Sequence, residues 1–171
     1  YINNELITDW DTKDTIGQNY SMTGFGKAGQ QQLIGAYASG ASSQSSFFDG
    51  YMADFYFIDG QQLTPSSFGE TNAVTGQWVP KKFAGTYGSK GCFLNFSDNS
   101  GTTSTTLGKD SSGNSQNFTP NNLSVAAGSG NDSLEDTPTN NWCTLNQLDQ
   151  KNTTLSNGSL ALTQASDPCR T

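Results

Sequence analysis

Short apolar runs separated by glycine-rich and polar stretches make up this chain of 171 residues. The clearest run, at residues 51–58, reads Tyr-Met-Ala-Asp-Phe-Tyr-Phe-Ile and lies between two Asp-Gly pairs, 49–50 and 59–60. Asp-Gly favours a tight turn because glycine adopts a positive φ without steric cost. An aromatic-rich run bounded by such turns predicts a core β-strand.

Other segments predict a hairpin, one helical turn and several short strands. Residues 1–8 predict the hairpin, because Asn3 and Asn4 tolerate the left-handed conformation of its turn. Thr64 followed by Pro65 predicts the helical turn, since proline suits the first helical position. Short strands are expected at 32–37, 92–96 and 159–163. Apolar residues never keep a 3.6-residue period over four turns, so we expect very little helix.

The composition favours an ordered, turn-rich β protein over a disordered chain. Hydrophobic residues make up 32% and charged residues 13% of the sequence, whereas aromatic residues reach 11%. Globular domains average roughly 25% charged residues. Disordered chains usually combine few aromatic residues with high charge, which is the opposite pattern. The length suffices for one domain with a hydrophobic core.

The charge argues against nucleic acid and membranes as partners. The net charge is −7, the sequence pI is about 4.2, and the eight basic residues are scattered except for Lys81 and Lys82. Nucleic-acid binding requires clustered Lys and Arg, and an anionic membrane surface attracts the same residues. No run of 18 apolar residues occurs, so we expect no insertion into a membrane.

The residue types available predict that this chain is not an enzyme. It contains no histidine, which excludes Ser-His-Asp and Cys-His catalysis and any histidine-containing zinc site within the chain. Glycoside hydrolysis needs two carboxyl groups, but Asp54 in the strongest predicted strand has no evident second acid. Cys92, Cys143 and Cys169 form no CxxC motif, and both one disulfide and three thiols remain open.

Calcium is the one cofactor for which the sequence offers candidates. Asp9 and Asp11 stand in an Asp-x-Asp pattern with Asp14, and calcium takes six to eight oxygen ligands. The EF-hand pattern fails, because Lys13 occupies the place of its third acid and Asp14 the place of its glycine. The favoured interpretation is solvated loop acids, with calcium at Asp9 and Asp11 as the alternative. A weaker acidic cluster consists of Asp132, Glu135 and Asp136.

Aromatic side chains are candidate contacts to sugars or to partner chains, because a ring can stack on a sugar face. The alternative for each is packing within the fold or against a neighbouring subunit. The candidates are Trp10, Tyr20, Tyr37, Trp78, Tyr87 and Trp142.

Residues 48–60, followed by Leu-Thr-Pro at 63–65, resemble the closing strand of laminin-G-like (concanavalin A-like) jelly rolls. Residues 1–8 are similar to the middle hairpin of that family, and 93–98 and 109–114 to its opening strands. The resemblance implies an all-β, antiparallel β-sandwich, incomplete in this chain, with long extended loops and arms. It implies three parts: 1–68 as the second half of the sandwich, 69–141 as an extended Gly/Asn/Ser-rich region with opening-strand-like segments, and 142–171 as a C-terminal extension or linker.

A longer string, spanning roughly residues 47–145, is similar to structural proteins of tailed bacteriophages of the marine type. It is carried by Gly-Glu-Thr at 69–71 and by residues 76–83, 85–88, 107–114, 118–122 and 136–140. Within it, the single aromatic residues between glycines at 76–88 favour a segment that lies across a surface over a regular sheet.

This second resemblance implies a tail or tail-fibre protein located in the virion, which acts in particle assembly and host attachment. The implied partners are other virion subunits, including further copies of this chain in a homo-oligomer, and a glycan on the host surface. A complete laminin-G-like domain also has strands that would come before Tyr1. The resemblance therefore implies an upstream half or a partner chain that completes the sheet. The alternatives are a soluble carbohydrate-binding, lectin-like module and, more distantly, a capsid decoration protein or a polysaccharide depolymerase.

Overall fold

A computed structural model describes residues 1–9, 31–38, 43–126, 131–133, 145, 153–156 and 161–164. Within these ranges the chain forms eight short strands and one 3-10 turn. The strands are β1 (Tyr37–Ala38), β2 (Gln44–Ser45), β3 (Phe55–Phe57), β4 (Gly69–Thr71), β5 (Trp78–Pro80), β6 (Cys92–Leu94), β7 (Thr153–Ser156) and β8 (Ala161–Gln164). The 3-10 turn is Pro65–Ser67.

The described residues confirm an all-β protein with almost no helix. The strands pair two by two, as β1–β2, β3–β6, β4–β5 and β7–β8. The pairs β1–β2, β4–β5 and β7–β8 are antiparallel. In the part of the chain that the structure describes, no helix combines the length and the apolar character that crossing a membrane requires.

The chain divides into two compact units. The first comprises Tyr1–Met52 and Tyr56–Cys92, and the second comprises Ala53–Phe55 and Phe93–Thr171.

Two of the three turns predicted from adjacent residues are present in the structure. Asn3 and Asn4 have φ values of 49° and 70°. Ile2 and Glu5 pair across them through backbone N···O distances of 3.0 and 2.9 Å, which confirms the N-terminal hairpin. Gly60 has φ 76° and confirms the turn at 59–60. Gly50 lies outside the left-handed region, so the other Asp-Gly pair does not turn by that conformation.

The strand predicted at 51–58 is confirmed only for Phe55–Phe57. Asp54 has φ 48°, a left-handed conformation that cannot continue a pleated strand, and it precedes the first strand residue. The strand predicted at 92–96 is present as Cys92–Leu94. It ends before Phe96, which also has a positive φ, of 52°.

Other predicted elements are displaced by a few residues. The strand expected at 32–37 is found at Tyr37–Ala38, because the chain bends beforehand at Gly35, which has φ 77°. The strand expected at 159–163 is Ala161–Gln164, paired with Thr153–Ser156. Pro65–Ser67 is the predicted helical turn, but the Thr64 hydroxyl makes no capping bond. It lies 2.8 Å from the Ser66 hydroxyl instead.

A hairpin of β4 and β5 corrects the expectation that residues 76–88 contain no regular sheet. Its register pairs Gly69 with Pro80 and Thr71 with Trp78. The Asn72 side-chain oxygen closes the connecting loop, since it accepts backbone bonds from Val74 and Thr75 at 2.9 and 3.1 Å. Gly76, with φ 70°, completes the reversal.

The first unit contains a chain of four rings, Tyr56, Phe68, Phe83 and Tyr87, of which Phe83 is buried and the other three are half-buried. Successive ring centroids are 5.3 Å apart, with Phe68 stacked on Phe83 and Phe83 edge-on to Tyr87. Each such aromatic pair stabilises the fold by about 0.5–1.5 kcal/mol beyond the contribution of the surface area that it buries. In the second unit, Phe93, Leu94 and Leu107 are buried.

Candidate functional site

Among the described residues, Asp110 is the acidic side chain that accepts the most hydrogen bonds. It is only 6% exposed. Its Oδ1 accepts bonds from the backbone N–H groups of Phe93 at 2.9 Å and Ser112 at 2.8 Å. Its Oδ2 accepts bonds from the Ser112 hydroxyl at 2.8 Å and from the Gln116 N–H at 2.9 Å. The backbone adds a bridge between Asp110 and Leu94.

The electrostatics of Asp110 follow from these contacts. Burial raises the pKa of the Asp110 carboxyl, but the bonds from Phe93, Ser112 and Gln116 outweigh it and hold the pKa below its ordinary value. The group is therefore a carboxylate at neutral pH, with both oxygens accepting two hydrogen bonds. A carboxylate held in this way stabilises its loop and is poorly suited to donate a proton.

The loop around Asp110 is closed by further backbone contacts. Phe118 donates its N–H to the Gly108 carbonyl at 2.9 Å, and the Asp110 N–H bonds the Asn117 side-chain oxygen at 2.9 Å. A Cβ added at Gly108 would overlap the Phe118 carbonyl oxygen, so glycine is required for this approach. The sequence indicates the aspartate and its Ser-Ser-Gly-Asn turn, but it carries no signal for the roles of Gln116 and Asn117.

Asp59 has a similar role in the first unit. Its backbone N–H donates to the Tyr87 carbonyl at 2.9 Å. Its Oδ2 accepts bonds from the Lys90 N–H at 3.0 Å and the Ser89 hydroxyl at 3.3 Å. Gly88 has φ 74°, and a Cβ there would overlap the Asp59 carbonyl oxygen. The sequence indicated Asp59 as a turn former, but it did not predict the hydrogen bonds from Asp59 to residues 87–90.

The predicted aromatic contacts occupy different environments. Tyr37 lies on β1 and is 64% exposed. Trp78 lies on β5 and is 36% exposed, with its indole ring over Gly69, where a Cβ would overlap it. Tyr87 packs edge-on to Phe83 within the ring chain. Trp10, Tyr20 and Trp142 lie outside the described residues.

Of the candidate calcium ligands, only Asp9 and Asp132 lie within the described residues. Asp9 is exposed, and Asp11 and Asp14 lie outside the described ranges. Asp132 accepts a bond from the Ser124 N–H at 2.6 Å, while Glu135 and Asp136 also lie outside. Within the described part of the chain, no group of three His, Cys, Asp or Glu side chains could hold a metal ion. Calcium binding at Asp9 and Asp11 stays the alternative to solvated loop acids.

One of the three cysteines lies within the described residues. Cys92 is buried at the start of β6, whereas Cys143 and Cys169 lie outside the described residues.

Within the described residues of the first unit, the segment at residues 47–52 exposes three large aromatic side chains in close succession. Phe47, Phe48 and Tyr51 are 70%, 57% and 73% exposed. The Phe48 N–H donates to the Gly35 carbonyl at 2.8 Å, which fixes the segment next to the β1–β2 hairpin. Sequence reasoning placed Tyr51 in a core strand, and that is wrong because the backbone is irregular and the ring faces solvent.

Comparisons with protein-family models, with curated proteins and with solved structures each gave no match to this chain.

Proposed function

We propose that this chain is a structural protein of a bacteriophage particle, part of the tail or tail fibre, that acts by contact with other subunits and with the host surface. The proposal starts from the resemblance of residues 47–145 to tailed-phage structural proteins. The observation that carries it furthest is the exposed apolar segment 47–52. Adjacent exposed aromatic residues on a soluble protein mark an interaction surface.

The aromatic surface of residues 47–52 is large enough to contribute substantially to a protein–protein interface. A fully buried Phe or Tyr removes about 150–250 Å² from water, so covering Phe47, Phe48 and Tyr51 would remove about 400 Å². At about 25 cal/mol per Å² this is worth about 10 kcal/mol, before the cost of association is subtracted. A standard interface covers about 800 Å² per partner. The segment would supply about half of the area that one partner contributes to such an interface, and the neighbouring β1–β2 hairpin would supply further area.

The acidic side chains support a role without catalysis. The carboxylates of Asp59, Asp98, Asp110 and Asp132 each accept at least one bond from a backbone N–H of their own unit. These acids organise turns in the described part of the chain. A polysaccharide depolymerase would instead need two carboxyl groups facing a common substrate.

The short sheets support completion of a laminin-G-like sandwich by a partner. Every sheet among the described residues has two strands, and two-stranded sheets are marginal on their own. Open strand edges pair readily with another chain. A second copy of this chain or another virion subunit would supply the missing strands.

A soluble lectin-like module is the second candidate. It is favoured by the exposure of Tyr37 and Trp78, whose rings could stack on sugars. A lectin of this kind would bind a glycan as a monomer, whereas a virion subunit would depend on assembly.

Immunogold electron microscopy with an antibody against residues 69–145 tests the proposal. We expect gold on the tail or fibres of intact phage particles. Gold on the head would replace the tail assignment with a capsid decoration role. If neither intact nor disrupted particles were labelled, the phage structural proposal would be wrong.

A further inference from the structure

The chain carries two Asp-Gly peptide bonds in contrasting surroundings within its first unit, at 49–50 and at 59–60. In an Asp-Gly sequence, the glycine nitrogen can attack the aspartate side-chain carbonyl, because glycine has no Cβ to hinder the approach. The folded surroundings decide whether the side chain can reach that nitrogen. We propose that the Asp49–Gly50 bond is a site of spontaneous isomerisation to isoaspartate, and that the fold protects Asp59–Gly60.

The surroundings of Asp49 leave its side chain able to turn. Asp49 and Gly50 are both exposed and belong to no strand. Among the described residues, the Asp49 carboxylate makes no hydrogen bond. The side chain can therefore rotate towards the Gly50 nitrogen without breaking a contact seen in the structure.

Asp59 is held at three points. Its N–H is bonded to the Tyr87 carbonyl at 2.9 Å. Its carboxylate is bonded to the Lys90 N–H at 3.0 Å and to the Ser89 hydroxyl at 3.3 Å. The Gly88 backbone packs directly against the Asp59 backbone. Attack by the Gly60 nitrogen would require the carboxylate to leave both donors, and so its rate falls with the population of that open state.

The reaction needs only water. The Gly50 nitrogen forms a bond to Cγ of the protonated Asp49 carboxyl group, and one molecule of water leaves, made from a carboxyl oxygen, its proton and the amide proton. The product is a five-membered succinimide. Water then adds at one of the two ring carbonyls. Opening at the Cγ carbonyl restores aspartate, and opening at the backbone carbonyl leaves the main chain running through the side chain, as isoaspartate.

Isomerisation at Asp49 would insert one methylene into the backbone of the 47–52 segment and leave a displaced carboxylate between Phe48 and Tyr51. Because an assembly through this segment would also cover Asp49, the test uses the chain at a concentration at which it is monomeric by sedimentation, so that its result does not depend on whether the segment is an assembly surface.

The test follows isoaspartate at both positions in the full, folded chain held for days at mildly acidic pH. Proteolytic peptides are compared with synthetic isoaspartyl standards, and electron-transfer fragmentation places the isomerised residue. We expect several-fold more isoaspartate at position 49 than at 59. In concentrated urea the two bonds lose their different surroundings, and we expect the difference to shrink towards equality.

Two variants sharpen the assignment. Gly50→Ala adds a hindering methyl group next to the exposed Phe48 ring, which can shift, and should suppress the product at 49. Ser89→Ala removes one donor to Asp59 and should raise the product at 59. The proposal is overturned if folded chain gives equal amounts at both positions, more at 59, or none at 49.

Discussion

Asp110 Oδ1 accepts a 2.9 Å hydrogen bond from the backbone N–H of Phe93, a residue 17 positions earlier in the chain. The bond joins a buried strand residue to a long loop that contains little regular structure. The same carboxylate accepts bonds from Ser112 and Gln116, so one side chain adds to the backbone bridge between Leu94 and Asp110. Polar side chains therefore organise much of residues 93–126, the longest described part of the second unit.

Replacement of Asp110 by Asn tests this role at constant side-chain shape. An amide nitrogen cannot accept the bonds that one carboxylate oxygen now accepts, and buried N–H donors lose a charged partner. We expect a loss of about 3 kcal/mol in the free energy of unfolding, measured by urea denaturation. Glu5→Gln, at an exposed side chain, is the matched control and should change stability by less than about 0.5 kcal/mol. Equal effects of the two variants would contradict the role given to Asp110.

The lowered pKa of Asp110 predicts a defined pH dependence. In the unfolded chain the carboxyl titrates near its ordinary pKa of about 3.9, whereas the folded pKa lies below that value. The unfolded state therefore binds the proton more readily, and stability falls as the pH drops from about 5 through the folded pKa. Asp98, whose pKa is lowered by bonds from Ser100, acts in the same direction. Burial raises the pKa of Asp54, which acts in the opposite direction.

Urea midpoints measured across this acidic range test the pH prediction. The decline in stability with falling pH should be shallower in Asp110→Asn than in the parent chain, because the variant lacks the titrating group. Parallel curves for the parent and the variant would contradict the lowered pKa.

Two glycines with nearly the same φ value allow the cost of a positive φ to be separated from the cost of close packing. Gly88 and Gly76 have φ values of 74° and 70°. A Cβ at Gly88 would overlap Asp59, while a Cβ at Gly76 would meet nothing within 4 Å. Gly76→Ala should cost about 1–2 kcal/mol from the left-handed conformation alone. Gly88→Ala should cost at least about 1 kcal/mol more, because the packed backbone must also shift.

Thermal or urea unfolding of the two alanine variants measures this difference directly. The close approach of the Gly88 and Asp59 backbones would be refuted by equal losses, or by a larger loss at position 76.

The sequence predicted the features that depend on adjacent residues. The Asn3-Asn4 hairpin, the turn at Asp59-Gly60 and the strand at Cys92–Leu94 each follow from local turn chemistry or a short apolar run. The exposure of Tyr51 could not be predicted, because an aromatic run has the same pattern whether a neighbour or solvent covers it.

The candidate sites depend mostly on contacts between residues that are far apart in the sequence. The sequence alone could not predict these contacts. The aspartate before a Ser-Ser-Gly-Asn turn was recognisable, but its partner Phe93 was not. The indole of Trp78 lies over Gly69 only because β4 and β5 pair. The left-handed conformation of Asp54, which shortens the best predicted strand, has no signal in the residues around it.

We propose that the exposed segment 47–52 mediates assembly. Sedimentation velocity over a range of concentrations tests it, with the parent chain compared with the triple variant Phe47→Ser, Phe48→Ser, Tyr51→Ser. Val74→Ser is the control, because Val74 is 93% exposed in the same unit and lies outside the segment. We expect the parent and the control to form oligomers and the triple variant to sediment as a monomer with an unchanged circular dichroism spectrum. A parent chain that is monomeric at every concentration, or a triple variant that assembles like the parent, would contradict the claim.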